Sequence, residues 1–113
     1  MLRIGNVTFD CEQPQRLAQF WAAVTGYAID QSSPHFARLV PQADSGPNLL
    51  FIKVPEPRSG KNRVHVDLRG DDMEAEIYRL VDLGATEGEF HSEHGIRWTV
   101  MADPEGNEFC IAG

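Results

Sequence analysis

Two side chains able to move a proton stand two residues apart, His65 and Asp67, in the segment Arg63-Val64-His65-Val66-Asp67-Leu68. Side chains alternate along an extended chain, so His65 and Asp67 share one face and Val64, Val66 and Leu68 the other. A histidine titrates near neutral pH and can serve as acid, base or hydrogen-bond donor; a carboxylate beside it could orient the ring or bind a cation. A ring held only by hydrogen bonds would instead be part of a wall. Asp10 has a similar place on its own alternating segment. Both carboxylates could also bridge to Arg63, Arg69 or Arg97, since a carboxylate left unpaired in a hollow is costly.

Other reactive groups carry less. His91 and His94 have the spacing HxxH, but they lie in a Ser-, Glu- and Gly-containing turn with no third ligand nearby, so a solvated loop is expected. The segment Arg58-Ser59-Gly60-Lys61 has one glycine and opens a strand, unlike a phosphate-binding loop. Cys11 and Cys110 are too few for a disulfide framework, and both are expected as free thiols. Cys11 faces the core by parity. Cys110 could be a thiolate ligand or nucleophile, or a small apolar filler.

The chain has 113 residues with 10 Lys plus Arg against 17 Asp plus Glu, a net charge of −7. That length suits one domain, residues 1–113, and the composition is globular. The acidic balance argues against nucleic acid and anionic membrane as partners. No apolar stretch approaches the ~18 residues needed to span a bilayer. The first ten residues mix Arg3, Asn6, Thr8 and Asp10 among apolar ones without a cleavage pattern, so a cytoplasmic protein is expected.

The elements that must hold these residues repeat. Residues 4–11 alternate, with Val7, Phe9 and Cys11 on one face and Asn6, Thr8 and Asp10 on the other. From Pro14, Leu17, Phe20, Trp21 and Val24 follow helical spacing, and Gly26 stops the helix. Trp21 lies on that stripe and is expected in the core. Strands fit 27–30, 36–40 and 48–54, and 55–62 is a loop. The pattern then restarts. A strand fits 63–68, and Asp71 or Asp72 caps a helix with the stripe Ile77, Leu80, Val81 and Leu83 that ends at Gly84. Strands fit 87–91, 96–101 and 108–111, the last after the turn Asp103-Pro104-Glu105-Gly106-Asn107. At a shift of about 59, Asn6 matches His65, Val7 matches Val66 and Asn48 matches Asn107. The sequence is thus an internal repeat, 1–55 and 62–113, of a strand–helix–three-strand unit. The predicted fold is α+β, with helices on one face of the sheet and a hollow on the other.

The duplicated βαβββ unit, the Phe20-Trp21 pair late in the first helix and the turn before the last strand together resemble the vicinal oxygen chelate superfamily. That group includes glyoxalase I, extradiol dioxygenases, fosfomycin-resistance enzymes and bleomycin-resistance proteins. The chain is most similar to its small, single-domain glyoxalase-like proteins of bacteria, through Gly26-Tyr27, Gly60-Lys61-Asn62-Arg63-Val64-His65 and Arg97-Trp98 onward to Cys110. The likeness covers 4–111. It implies two βαβββ modules forming an eight-stranded, cupped, mostly antiparallel sheet with the helices on its convex face. It also implies a homodimer.

Metal-dependent members place ligands at the first and fourth strand of each half, which by register are Asn6, Phe51, His65 and Cys110 here. Only His65 and Cys110 could bind a transition metal well, and a catalytic site generally needs three protein ligands, so neither metal nor other cofactor is expected. The resemblance also turns Trp98 and Val100 toward the hollow, where an indole gives a flat wall with one donor. Asn6, Thr8, Phe51, His65, Asp67, Trp98, Val100 and Cys110 are therefore the candidate ligand-binding residues, with His65 and Asp67 the candidates for any catalysis. The leading expectation is metal-independent binding of a small planar or aromatic molecule, as in bleomycin-resistance proteins. The alternatives are a glyoxalase-like lyase, isomerase or other enzyme on a small oxygenated substrate, and a protein-interaction module.

Overall fold

Glycine and proline punctuation sets the ends of the first helix. Its Pro14 start loses no hydrogen bond, because a first-turn N–H has no intrahelical partner. Gly26 closes it in the left-handed region at φ +77°, donating its N–H to the Ala22 carbonyl. The computed structural model describes residues 1–113, the side chain of Asp44 apart. It divides into two compact units, Met1–Arg58 and Ser59–Gly113, each of which is described by itself.

The first unit contains β1 (Asn6–Cys11), α1 (Pro14–Thr25), β2 (Ala28–Ser32), β3 (Phe36–Val40) and β4 (Asn48–Lys53). The sheet order is β1-β4-β3-β2: the last three strands form an antiparallel meander, and β4 returns parallel to β1. Parity then sorts the side chains. Phe9 lies beside Phe51 in the ladder, with ring centroids 5.1 Å apart, and meets Trp21 of α1 at 5.2 Å. Phe20 completes the cluster edge-on to Trp21. This is the helix-covered face, and it buries Leu17, Trp21, Leu39 and Phe51 almost completely. Cys11 is buried on it too, its thiol donating to the Ile52 carbonyl.

The second unit repeats the order with β5 (Asp67–Arg69), α2 (Met73–Leu83), β6 (Thr86–Glu93), β7 (Ile96–Ala102) and β8 (Glu108–Ala112). Its sheet runs β5-β8-β7-β6, again with one parallel pair, β5 and β8. Asp72 caps α2 by accepting from the Ala75 N–H at 3.1 Å, and Gly84 ends it at φ +119°. The apolar stripe of α2 is narrower than expected. Ile77 and Leu80 are buried, whereas Val81 and Leu83 are exposed. Met101, Phe109 and Ile111 fill the core beside them.

The α+β class, two helices and eight strands stand as expected. The strands hydrogen-bond as two sheets of four rather than one of eight, because each parallel pair closes a ladder within its own unit. The strand expected over 63–68 is shorter. It begins at Asp67, with Val64 fully out in solvent, although the Cys110 N–H still reaches the Val66 carbonyl at 2.9 Å. Among the described residues, no helix is long and apolar enough to cross a membrane.

Candidate functional site

The uncovered face of the second unit's sheet gathers the groups with chemistry. Register places Asp67 beside Cys110, Val100 beside Cys110, and Trp98 beside Ala112. Neighbouring partners in a ladder point to the same side, so Asp67, Cys110, Val100 and Trp98 share a face opposite Phe109 and Ile111. His65, two residues before Asp67, joins them. Its Nδ1 lies 3.2 Å from Asp67 Oδ1 and 3.8 Å from Cys110 Sγ. Nδ1, Sγ and a carboxylate oxygen are all within 4.8 Å of one another.

An ionised carboxylate has only lone pairs to offer, so this contact calls for a ring proton on Nδ1; in the neutral ring Nε2 is then the acceptor. Asp67 and Cys110 address the same ring nitrogen. The three therefore do not form a nucleophile–base–orienter chain, which needs the thiol and the carboxylate on opposite nitrogens. Burial pushes the Cys110 thiol above its ordinary pKa, and the Asp67 charge, the thiol's hydrogen bond to Asp67 and the Glu108 charge add to the rise. At neutral pH the sulfur is a neutral thiol under two exposed side chains.

The strand that carries Cys110 is held by the turn before it. Asp103 is 2% exposed; its Oδ1 accepts from the Glu105 and Asn107 N–H groups at 2.9 and 3.0 Å, and Oδ2 from the Asn107 amide at 3.0 Å. Gly106 takes the left-handed conformation, φ +87°, that lets the chain turn back into β8.

Trp98 is half-buried on the uncovered face, and His91 of β6 lies against it, ring centroids 5.1 Å apart and planes 16° from parallel. The expectation of a solvated loop for His91 is corrected. The strand runs on through Glu93, and parity sets His91 beside Trp98. Only His94 lies in the turn, at φ +52°. The strand expected over 87–91 already reached His91; what its spacing did not reveal is the ladder partner, Trp98.

The other candidates divide. Asn6 and Thr8 are exposed on the uncovered face of the first unit's sheet, as is Asp10. Phe51 is not there. It sits level with Phe9 and takes Phe9's side, so its ring is wholly inside the core and presents no wall to a ligand. The residues that share Thr8's and Asp10's face on β4 are Leu50 and Ile52. The four metal slots implied by the resemblance therefore do not fit a metal: Phe51 has no donor and faces the core, and Asn6 offers a neutral amide. Counting slots also left out Asp67, which stands directly beside His65 and Cys110.

The fold agrees with the comparisons. The model of the glyoxalase-like domain matches residues 6–112, so the chain belongs to that family, within the vicinal oxygen chelate superfamily. No curated protein matches. Among solved structures, a glyoxalase/bleomycin resistance protein/dioxygenase family enzyme from Burkholderia phytofirmans is similar at TM-score 0.82 and 18% identity, over 98% of both chains. A possible glyoxalase from Bacillus cereus gives 0.76 and 16%, over 100% of both. The bleomycin-binding protein of Streptomyces verticillus, complexed with copper(II)-bleomycin, gives 0.67 and 13%, over 98% of this chain and 95% of that one. At such identities the likeness is one of fold.

Proposed function

We propose that the chain binds a small planar or aromatic molecule on the uncovered face of its second unit, stacked at Trp98 with its polar edge toward His65 and Asp67. One observation carries the reading: the indole is half-exposed and already holds a near-parallel ring, His91, at stacking distance. A guest ring can displace His91 or extend the stack, and Val100 adds apolar surface alongside. The ring contact needs no metal. The net charge of −7 and the carboxylate of Asp67 favour an uncharged or weakly cationic guest. The Streptomyces verticillus relative shows that this fold can carry a small molecule. The reading includes pairing with a second copy, consistent with exposed apolar residues such as Val64, Phe90 and Ile96.

A specific contact favours a second reading. With Nδ1 directed at Asp67, His65 presents Nε2 as a base of fixed orientation, suited to proton transfer on a small oxygenated substrate. Calorimetric titration against a panel of planar compounds, with chelator present, separates the two. Binding without turnover, weakened by at least about 2- to 12-fold in Trp98→Ala (0.5–1.5 kcal/mol of stacking beyond the buried area), supports the first. Turnover that falls by about 10²–10⁴ in His65→Ala supports the second. Tight binding of a phosphate or carboxylate with indifference to every planar compound would overturn the ring-binding reading.

A further inference from the structure

We propose that His91 is a built-in occupant of the Trp98 platform, held there more firmly when protonated, so that acid closes the platform to a planar guest. The inference rests on the ring-binding reading above and adds its regulation. A guest must displace the histidine, and pH sets how readily the histidine yields.

The ladder builds the contact. His91 and Trp98 are cross-strand partners, and their rings lie 5.1 Å apart and 16° from parallel. The register of β6 on β7 shifts between Glu87 and Phe90, and Gly88 sits inside that irregularity. A Cβ at Gly88 would stand 2.7 Å from the Val100 carbonyl oxygen, so a side chain there would force the strands apart. Next to this glycine, Glu89 turns its carboxylate to His91, with Oε2 3.6 Å from Nε2. That is an ion-pair distance, too long for a good hydrogen bond. Among the described residues, Glu89 is the imidazole's only polar partner. Because β6 is the edge strand of its sheet, the ring can swing outward by a rotamer change while the ladder stays intact.

Charge decides how firmly the ring is held. A neutral imidazole stacked on the indole favours the closed arrangement about 2- to 12-fold. An imidazolium in the same place adds a cation–π attraction, about a further 2- to 5-fold at a partly exposed site. Glu89 pulls in the same direction, although it is largely exposed and its share is small. The neighbouring charges agree in sign. On its own strand Glu93 shares the His91 side, and His94 lies in the turn beyond it. On β7 the residues on that side are Ile96, Trp98 and Val100, with Arg97 on the other. The same face carries Cys110 and Glu108 on β8, and Asp67 and Arg69 on β5 with His65 before them. Those groups are two and three strands away, about 10 and 14 Å, where salt screens them.

The test uses caffeine, a planar compound that stays uncharged across the range, titrated by calorimetry into the full-length chain between about pH 5.5 and 8. Binding should weaken about 2- to 5-fold on acidification. At the alkaline end His91→Ala should bind about 3- to 13-fold more tightly, one plus the 2- to 12-fold advantage of the closed stack. The same variant should lose the His91 part of the pH dependence, and any slope it keeps belongs to His65. In NMR spectra of the parent, nuclear Overhauser contacts between the His91 and Trp98 rings should be present without caffeine and vanish as it saturates the site. Caffeine binding with those contacts retained, weaker binding by His91→Ala, or an equal pH slope in parent and variant overturns the proposal and leaves the ring-binding reading standing. No binding of caffeine by either protein at any pH counts against the ring-binding reading itself, and the proposal falls with it.

Discussion

Replacing Asp103 by alanine should destabilise the second unit far more than its place in a surface turn suggests. The carboxylate is 2% exposed and accepts three hydrogen bonds, two of them from the backbone N–H groups of Glu105 and Asn107. Alanine leaves those two donors without a side-chain acceptor. An unsatisfied buried donor costs about 1–3 kcal/mol, the lower end applying where water can reach it. Glu105 and Asn107 are only half-buried, so the sum is about 2–5 kcal/mol. At about 4 °C per kcal/mol for a chain of this size, the melting temperature should fall by about 8–20 °C. Asp103→Asn keeps an acceptor for both backbone groups and loses only the bond to the Asn107 amide, so it should cost about 1 kcal/mol. Thermal and urea unfolding followed by circular dichroism measure both variants. An alanine variant within about 1 kcal/mol of the parent, or an asparagine variant as damaged as the alanine one, would refute the assignment of this carboxylate as the tie that sets β8.

Other outcomes follow from single contacts. Asp72→Ala, which removes the α2 cap at the Ala75 N–H, should cost about 1 kcal/mol in urea unfolding. Gly84→Ala should cost about 1–2 kcal/mol, since φ is +119° and the new methyl would meet Pro104 at 3.4 Å. Phe109→Ala, emptying a fully buried ring site, should cost about 3–5 kcal/mol, read in the same assay. In metal-free protein the raised Cys110 pKa means that the folded state holds its thiol proton more tightly than the unfolded state. That contribution is complete below the unfolded thiol's pKa and is lost as pH climbs through the folded one, so stability should decline on the alkaline side. Cys110→Ala should flatten that decline in unfolding measured across alkaline pH.

The alternation of Val7, Phe9 and Cys11 against Asn6, Thr8 and Asp10, the glycines at 26 and 84, and the duplicated order made the elements legible, because period and punctuation are local properties. Pairing is not local. Phe51 was misplaced by one residue on the strand, and one residue is the difference between the core and the uncovered face. His65 and Asp67 were visible as a pair by parity. That Cys110 lies beside both depends on the parallel register of β5 and β8, which residues 45 apart do not announce. His91 was lost for the opposite reason: its strand is polar on both sides, so hydrophobic periodicity could not reveal that it reaches Trp98.

The central claim is that the indole of Trp98 is the platform for a planar guest, and the chain supplies its own control, since it has two tryptophans. Trp21 is sealed in the first unit's core at 1% exposure, whereas Trp98 is half-exposed. Nitrogen-15 NMR of the chelator-treated protein resolves the two indole N–H signals, assigned through Trp98→Phe. A planar compound that binds should move the Trp98 indole signal progressively to saturation and leave that of Trp21 in place. Saturable binding of planar compounds with the Trp98 signal unmoved would contradict the account.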